Sequence, residues 1–295
     1  MAWRFPRTRR QRGLMVVQVT PSGQACGARV TGVDLSQPLD PATVAAIRAA
    51  WLEHHVLAFP DQTIDDDDLE RFTLAFGGFG DDPFFAPIPG REHIAAIRRE
   101  ADEQSPLFAE NWHADWSFQA RPPAGTCLMA IDIPPTGGDT LFANQHLAWE
   151  TLRPDQQARY ADLVGVHSAR LPLAPEGTYG ARDGGRSMDI RPSEAALATQ
   201  THPLVPAHPE TGRRGFYSTL GYIIGIEGLA QDAAIALLAE LQAWQGDERF
   251  VYRHRWEPAM LVMWDNRSVL HRATGGYEGH RRELHRTTIA AWSGS

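Results

Sequence analysis

The chain contains no lysine: all 28 of its basic residues are arginine. A guanidinium is therefore weaker evidence for bidentate recognition here than usual, because lysine was never the alternative. Cysteine is nearly absent as well, with Cys26 and Cys127 alone. Two thiols exclude a disulfide framework, no Cys-x-x-Cys or Cys/His zinc spacing occurs, and a reducing, cytoplasmic setting is expected. No apolar run approaches the roughly 20 residues that cross a bilayer, so no membrane association is expected. The 28 arginines face 36 acidic residues, and the net charge of −8 argues against general affinity for nucleic acid. The opening MAWRFPRTRRQRG is basic but no apolar signal-peptide core follows it. Residues 1–14 read as a disordered tail or a misplaced start, with Met15 opening the ordinary sequence.

What remains describes a folded protein. Over 295 residues, 43% hydrophobic and 22% charged composition suits a single domain, here residues 15–295. Asp40 as N-cap and Pro41 at the first helical position predict a helix over 40–55, followed by a short strand at 56–60. TIDDDDLERFTLAFG predicts a second helix over 63–77. Its acidic run resembles a calcium loop only superficially: acids in a first turn complement the helix dipole, and no EF-hand spacing follows. Strands are expected at 126–134 and in TLFAN, helices at 146–152, 154–164 and 229–245, and a strand after the turn in HPETGRRGFYSTLGYI. The stretch 165–200 has little periodicity and reads as a lid-like insertion. RFVYRHRWE, MLVMW, SVLHRAT and RRELHRTTIAAW read as successive strands. The fold class is mainly β with helices, a sandwich or jelly roll.

Two His-x-acid triplets occur, His113-Ala114-Asp115 and His208-Pro209-Glu210, against roughly 1.5 expected by chance. The count decides nothing, but context does. Pro209 and the following Thr-Gly make the second a turn. In an extended segment His113 and Asp115 project to one face, as two ligands of a single cation must. His271, on a strand-like run far downstream, is the third candidate. Two imidazoles and a carboxylate form the facial triad of non-haem Fe(II) oxygenases. Arg282 and Arg286 lie 11 and 15 residues beyond His271. As i and i+4 of one strand they sit roughly 13 Å apart on one face and look into one cavity. Buried like charges require something anionic to arrive.

HADW, PTGGDT, HPETG, WDNRSVLHRAT and HRRELHRTT, in this order over residues 17–292, resemble the taurine dioxygenase and 2,4-dichlorophenoxyacetate dioxygenase family of Fe(II)/2-oxoglutarate-dependent oxygenases. The resemblance implies a double-stranded β-helix (jelly roll) core, Fe(II), 2-oxoglutarate and O2, and a homodimer or homotetramer. It implies hydroxylation of a small organic acid with release of succinate and CO2. His113, Asp115 and His271 then match the iron ligands. Thr140 and Arg282 match the residues that hold the distal carboxylate of 2-oxoglutarate. Arg286 matches the arginine that binds the substrate's sulfonate in the taurine enzyme. The pocket departs from that enzyme, with Asp82 at the place of a histidine, Phe85 at that of a tyrosine and Ala109 at that of an asparagine, so taurine is not the expected substrate.

Bland readings stand beside these. His113 and Asp115 could form a strand-end ion pair, Arg286 could bridge to Glu283 or Asp265, and Thr140 could be an ordinary β-branched strand residue. Trp112, Trp116 and Phe118 read as core or pocket, with Trp112 assigned to the substrate side together with Tyr222. His54, His55, His146, His167, His202, His254, His280 and His285 carry no motif. A jelly-roll hydrolase or isomerase, which needs no Arg282, and a non-catalytic binder of small acids are the rival functions.

Overall fold

Asp40 and Pro41 start helix α1 (Pro41–His54) as their chemistry dictates. The Asp40 carboxylate accepts the Thr43 N–H at 2.8 Å, and proline in the first turn forfeits no intrahelical bond. The acidic run opens α2 (Asp66–Phe76). Asp65 accepts the Asp68 N–H at 3.0 Å, and the Asp68 carboxylate accepts the Asp65 N–H at 3.1 Å, a reciprocal capping box. Farther on lie α3 (Gln145–Glu150), α4 (Pro154–Tyr160), α5 (Arg170–Leu173) and α6 (Gln231–Gln245). The computed structural model describes residues 16–180 and 184–291, so the tail expected over residues 1–14 lies outside the described residues.

The strands of the first part are β1 (Gln18–Pro21), β2 (Ala28–Thr31), β3 (Val56–Phe59), β4 (Ala95–Arg99), β5 (Gly125–Asp132), β6 (Thr140–Asn144) and β7 (Val164–His167). The second part adds β8 (Gln200–Pro203), β9 (Ile223–Ile226), β10 (Val251–His254), β11 (Leu261–Asp265), β12 (Val269–Ala273) and β13 (Arg282–Ile289). One sheet has the order β1-β2-β3-β11-β5-β13-β4, a second β10-β6-β12 and a third β8-β7-β9. All pairings are antiparallel except β2 with β3.

Alternation along the strands explains how the layers stack. Leu57, Phe59, Cys127, Met129, Leu261 and Met263 pack with Ile47 and Trp51 of α1 and Leu69, Phe72 and Phe76 of α2. Their neighbours Val56, Ala58, Leu128, Val262 and Trp264 pack on the other side, with Phe142 of β6 and Val269 of β12. Successive side chains of a strand point to opposite faces, so the large sheet has helices on one side and the small sheet on the other. Strands covered on both faces read as unbroken apolar runs, which is why VLAF and LVMW look hydrophobic throughout. The result is a mainly β, jelly-roll single domain, and its site lies between the two facing sheets.

Some elements differ from expectation. Residues 216–222 form no strand: Ser218 has φ +64°, a left-handed backbone that cannot continue a ladder, and β9 begins only at Ile223. RFVYRHRWE contracts to β10, since Glu248–Phe250 form a 3-10 turn. The stretch 165–200 is not structureless: it includes most of β7, all of α5 and a 3-10 turn at Glu194–Leu197. Strands β1, β2 and β4 carry no expectation, being four or five residues long with weak patterning.

Candidate active site

His113 is fixed to β12 by main-chain bonds. Its N–H donates to the His271 carbonyl at 3.0 Å, and the His271 N–H donates back to the His113 carbonyl at 2.8 Å. This isolated antiparallel bridge places the two imidazoles with ring centroids 4.2 Å apart. Asp115 does not lie in a continuing strand. The chain turns there, with Trp116 at φ +50°. Its carboxylate nevertheless reaches both rings: Oδ1 lies 3.8 Å from His113 Nε2 and 3.7 Å from His271 Nε2. One ligand atom from each residue falls within 4.8 Å of the others, the one such cluster among the described residues.

Outer hydrogen bonds aim these atoms inward. The Asn111 carbonyl, which can only accept, lies 2.9 Å from His113 Nδ1. That nitrogen therefore carries the proton, and Nε2 presents its lone pair. Asp115 Oδ2 accepts the Thr126 hydroxyl at 2.6 Å. Thr126 Oγ1 in turn accepts Asn266 Nδ2 at 2.9 Å, and Asn266 Oδ1 accepts the Trp264 indole N–H at 2.9 Å. The relay holds one carboxylate oxygen and leaves the other facing the imidazoles. Burial works to raise the Asp115 pKa, but His271, Arg286, His113 and the Thr126 hydroxyl together hold it below the ordinary carboxylate range. Burial, with His113 beside it, pushes His271 down to about 3, so its imidazole is neutral near pH 7. Two imidazoles and an ionised carboxylate that face one another fit a first-row divalent ion.

The three residues line a cavity shared with Thr140, Arg282 and Arg286. Arg282 and Arg286 both come from β13, next to a register shift at Glu283/Leu284. Arg282 is 6% exposed. Its Nη2 donates to the Gly138 carbonyl at 3.1 Å, while Nε is buried without a partner. Trp256 and Tyr277 flank it, each ring centre 5.9 Å from the guanidinium carbon. No carboxylate pairs with Arg282 among the described residues, and burial lowers its pKa. Thr140 Oγ1 accepts the Trp256 indole N–H at 3.0 Å. Gly138 needs to be glycine: its φ is +68°, and a Cβ would stand 2.9 Å from Arg282 Nε. The GGDT sequence thus brings main chain against the guanidinium.

Arg286 is different, because it has a resident partner. Its Nη2 donates to Asp82, not to Glu283 or Asp265, the partners named for the alternative reading of Arg286 as a plain salt bridge. Those acids are engaged elsewhere, Glu283 with Arg281 and His285 and Asp265 with Arg267 and His208. The guanidinium carbon of Arg286 lies 4.5 Å from the centre of the Phe85 ring and 4.9 Å from that of Trp116. Asp82 and Phe85 therefore stand behind Arg286 rather than on the cavity wall. Trp112 and Tyr222 line a neighbouring hollow that shares Phe108, Ala109 and His113 with the first. Its wall also includes Tyr179 and Leu220, so it is largely apolar.

Several residues that build the site escaped the sequence. Thr126, Asn266 and Trp256 act through side-chain bonds between distant strands, and no local pattern marks them. Glu103, Arg186 and Met188 belong to the cavity wall. Glu103 accepts the Ser187 N–H at 2.9 Å and Arg99 Nη1 at 3.3 Å, joining the two segments. His208 sits in a turn, as its proline suggests. Its Nδ1 accepts the Glu210 and Thr211 N–H groups at 3.2 Å, and its Nε2 donates to Asp265 at 3.0 Å.

Similarity to known proteins agrees with this geometry. An alkylsulfatase of Acinetobacter baylyi is 33% identical over 276 residues, covering 90% of this chain and 82% of its own. The (S)-phenoxypropionate/alpha-ketoglutarate-dioxygenase of Delftia acidovorans is 34% identical over 270 residues, covering 87% and 89%. Among solved structures, a taurine dioxygenase from Burkholderia xenovorans superposes with a TM-score of 0.78 at 31% identity, over 94% of this chain and 90% of that one. The sequence model described as taurine catabolism dioxygenase TauD, TfdA family matches residues 18–288. With fold, paired sheets and the His-Asp-His cluster in agreement, the chain belongs to this family of dioxygenases.

Proposed function

We propose that His113, Asp115 and His271 hold Fe(II), that Arg282 and Thr140 hold the distal carboxylate of 2-oxoglutarate, and that the protein hydroxylates a small organic acid. The acid group is a carboxylate, sulfonate or sulfate, and succinate and CO2 are released. Fe(II) bound there would supply the activation of O2 that the oxidative decarboxylation of 2-oxoglutarate requires. The protein's part is to bind, orient and exclude water. Arg282 offers a buried cation, without a carboxylate partner among the described residues, in the same cavity that the donor cluster lines. That juxtaposition is the observation that carries the reading. A keto acid bound by both would supply the carboxylate that the buried guanidinium lacks.

Arg286, with Phe85 and Trp116 against it, sits on the same β13 face and supports the substrate's polar end. Trp112 and Tyr222 supply the apolar hollow beside His113, which suits a hydrocarbon portion. The buried thiols Cys26 and Cys127 form no disulfide, which supports a reducing, cytoplasmic location. No helix among the described residues is long and apolar enough to cross a membrane.

The reading is tested by adding Fe(II) and 2-oxoglutarate without oxygen. A weak visible charge-transfer band is expected with the wild type and is lost in His113→Ala. No band with the wild type, or an unchanged band in the variant, refutes the assignment.

A further inference from the structure

The second His-x-acid triplet, His208-Pro209-Glu210, stays outside the metal cluster yet is joined to it through the turn between β11 and β12. We propose that His208 is a positioning residue for Asp115: with Glu210 it grips the residues on either side of Asn266, and Asn266 keeps the Asp115 carboxylate turned toward the imidazoles. The inference rests on the metal-binding role proposed above for Asp115.

Asp115 needs such a hold because no sheet register supplies one. His113 and His271 are fixed to each other by a main-chain bridge, whereas the chain leaves extended geometry just beyond Asp115, with Trp116 at φ +50°. Side-chain bonds therefore decide where the carboxylate points, and Asn266 contributes to them at both ends of the residue. Its Oδ1 accepts the Asp115 N–H at 3.4 Å. Its Nδ2 donates to the Thr126 hydroxyl oxygen, whose own proton goes to Asp115 Oδ2.

The turn that carries Asn266 is set from behind by the HPETG segment. His208 Nδ1 accepts the Glu210 and Thr211 N–H groups, which leaves the proton on Nε2. That N–H donates to Oδ2 of Asp265, the residue before Asn266. The same carboxylate accepts the Arg267 main-chain N–H at 2.8 Å and Arg267 Nη2 at 2.7 Å. Arg267, the residue after Asn266, reaches back from Nη1 to Glu210 Oε1 at 2.7 Å. The ring of contacts thus closes around Asn266. His208 and Asp265 are both buried, so deleting one leaves the other unpaired and the turn free to shift.

A cycle of variants tests this on Fe(II) affinity, measured without oxygen by competition with a chelator, alongside thermal melting of the metal-free proteins. His208→Ala should weaken Fe(II) about tenfold, at the lower end of what the outer partners of metal ligands contribute. His208→Gln, whose amide can still donate to Asp265, should stay within about threefold of the wild type. In a Thr126→Val background the link to the carboxylate is already cut, so adding His208→Ala should cost less than about twofold more. A role confined to stability would lower the Tm of His208→Ala and leave the Fe(II) affinity of the folded protein at the wild-type value. That result overturns the proposal. Losses that multiply in the double variant overturn it too, because they place His208 outside the Asn266–Thr126 relay. Should His208→Ala fail to fold, Glu210→Gln loosens the other grip and should weaken Fe(II) about threefold, and an unchanged affinity there overturns the proposal equally. A wild type that does not bind Fe(II) removes the metal assignment itself, whereas normal wild-type binding with unaltered variants removes the positioning role alone.

Discussion

At the scale of single residues, hydrogen bonds hold the outer atoms of His113 and Asp115 and leave their inner atoms facing His271. His113, Asp115 and His271 are legible in the sequence because their motifs carry them. Thr126 is not, since a hydroxyl in an apolar strand signals nothing until Asp115 is seen 2.6 Å away. Thr126→Val is expected to leave Asp115 Oδ2 and Asn266 Nδ2 unpaired in a buried place. The fold should lose about 1–3 kcal/mol, and Fe(II) affinity about 10–100-fold. Denaturant melts and metal titration against a chelator check this, and unchanged metal affinity would deny Thr126 a positioning role. Arg282 gives a second prediction. With the wild type, 2-oxoglutarate should raise the Tm with concentration, as any ligand of the native state does. In Arg282→Ala that rise should disappear at matched concentrations and the KM for 2-oxoglutarate should climb sharply. An equal rise in both proteins would mean that another cation holds the co-substrate.

At the scale of elements, caps and unbroken apolar runs were readable and irregular backbone was not. The α1 and α2 starts follow from Asp40, Pro41 and Asp65, whose chemistry is local. The loss of the strand expected in GFYSTLGYI follows from the left-handed backbone of Ser218, a conformation that no local residue pattern signals. The Asp65–Asp68 run illustrates why position outweighs composition. Asp65→Ala removes a capping box and should cost about 0.5–2 kcal/mol. Asp67, whose side chain is 73% exposed beside Arg91, should tolerate alanine within about 0.5 kcal/mol. Equal effects of the two substitutions in urea unfolding would show that the run acts as a charge cluster rather than as a cap.

At the scale of the whole molecule, the two facing sheets place remote segments together: β12 supplies His271, β6 supplies Thr140 and β13 supplies both arginines. The order of motifs along the chain made this architecture legible, whereas the partner of Arg286 was not, because Asp82 lies in a loop 204 residues away. The interior also stores imidazoles. Burial pushes His55, His167 and His254 down to about 3, while an unfolded chain binds a proton on each near pH 6.5. Between those values the unfolded state holds more protons, so stability is full above about pH 6.5 and falls as pH drops toward 3. Asp265 acts in a lower window. Its pKa is held well below the carboxylate range because Arg267 and His208 outweigh its burial. Its contribution is present above about pH 4 and is lost below it. The Tm should therefore fall between pH 6.5 and 4.5, before carboxylates titrate. A flat Tm over that interval would show that the histidines are protonated in the folded protein.

The surface network points the other way along the pH scale. Arg29 meets Glu257, Arg159 meets Glu240 and Arg213 meets Glu150, all partly in water, and each such pair contributes little by itself. In most proteins many contacts of this kind rest on ammonium groups, which release their protons near pH 10.4. A guanidinium retains its charge beyond about pH 12. Strong alkali that would dissolve an amine-based network should leave this one intact, until tyrosine ionisation sets the limit.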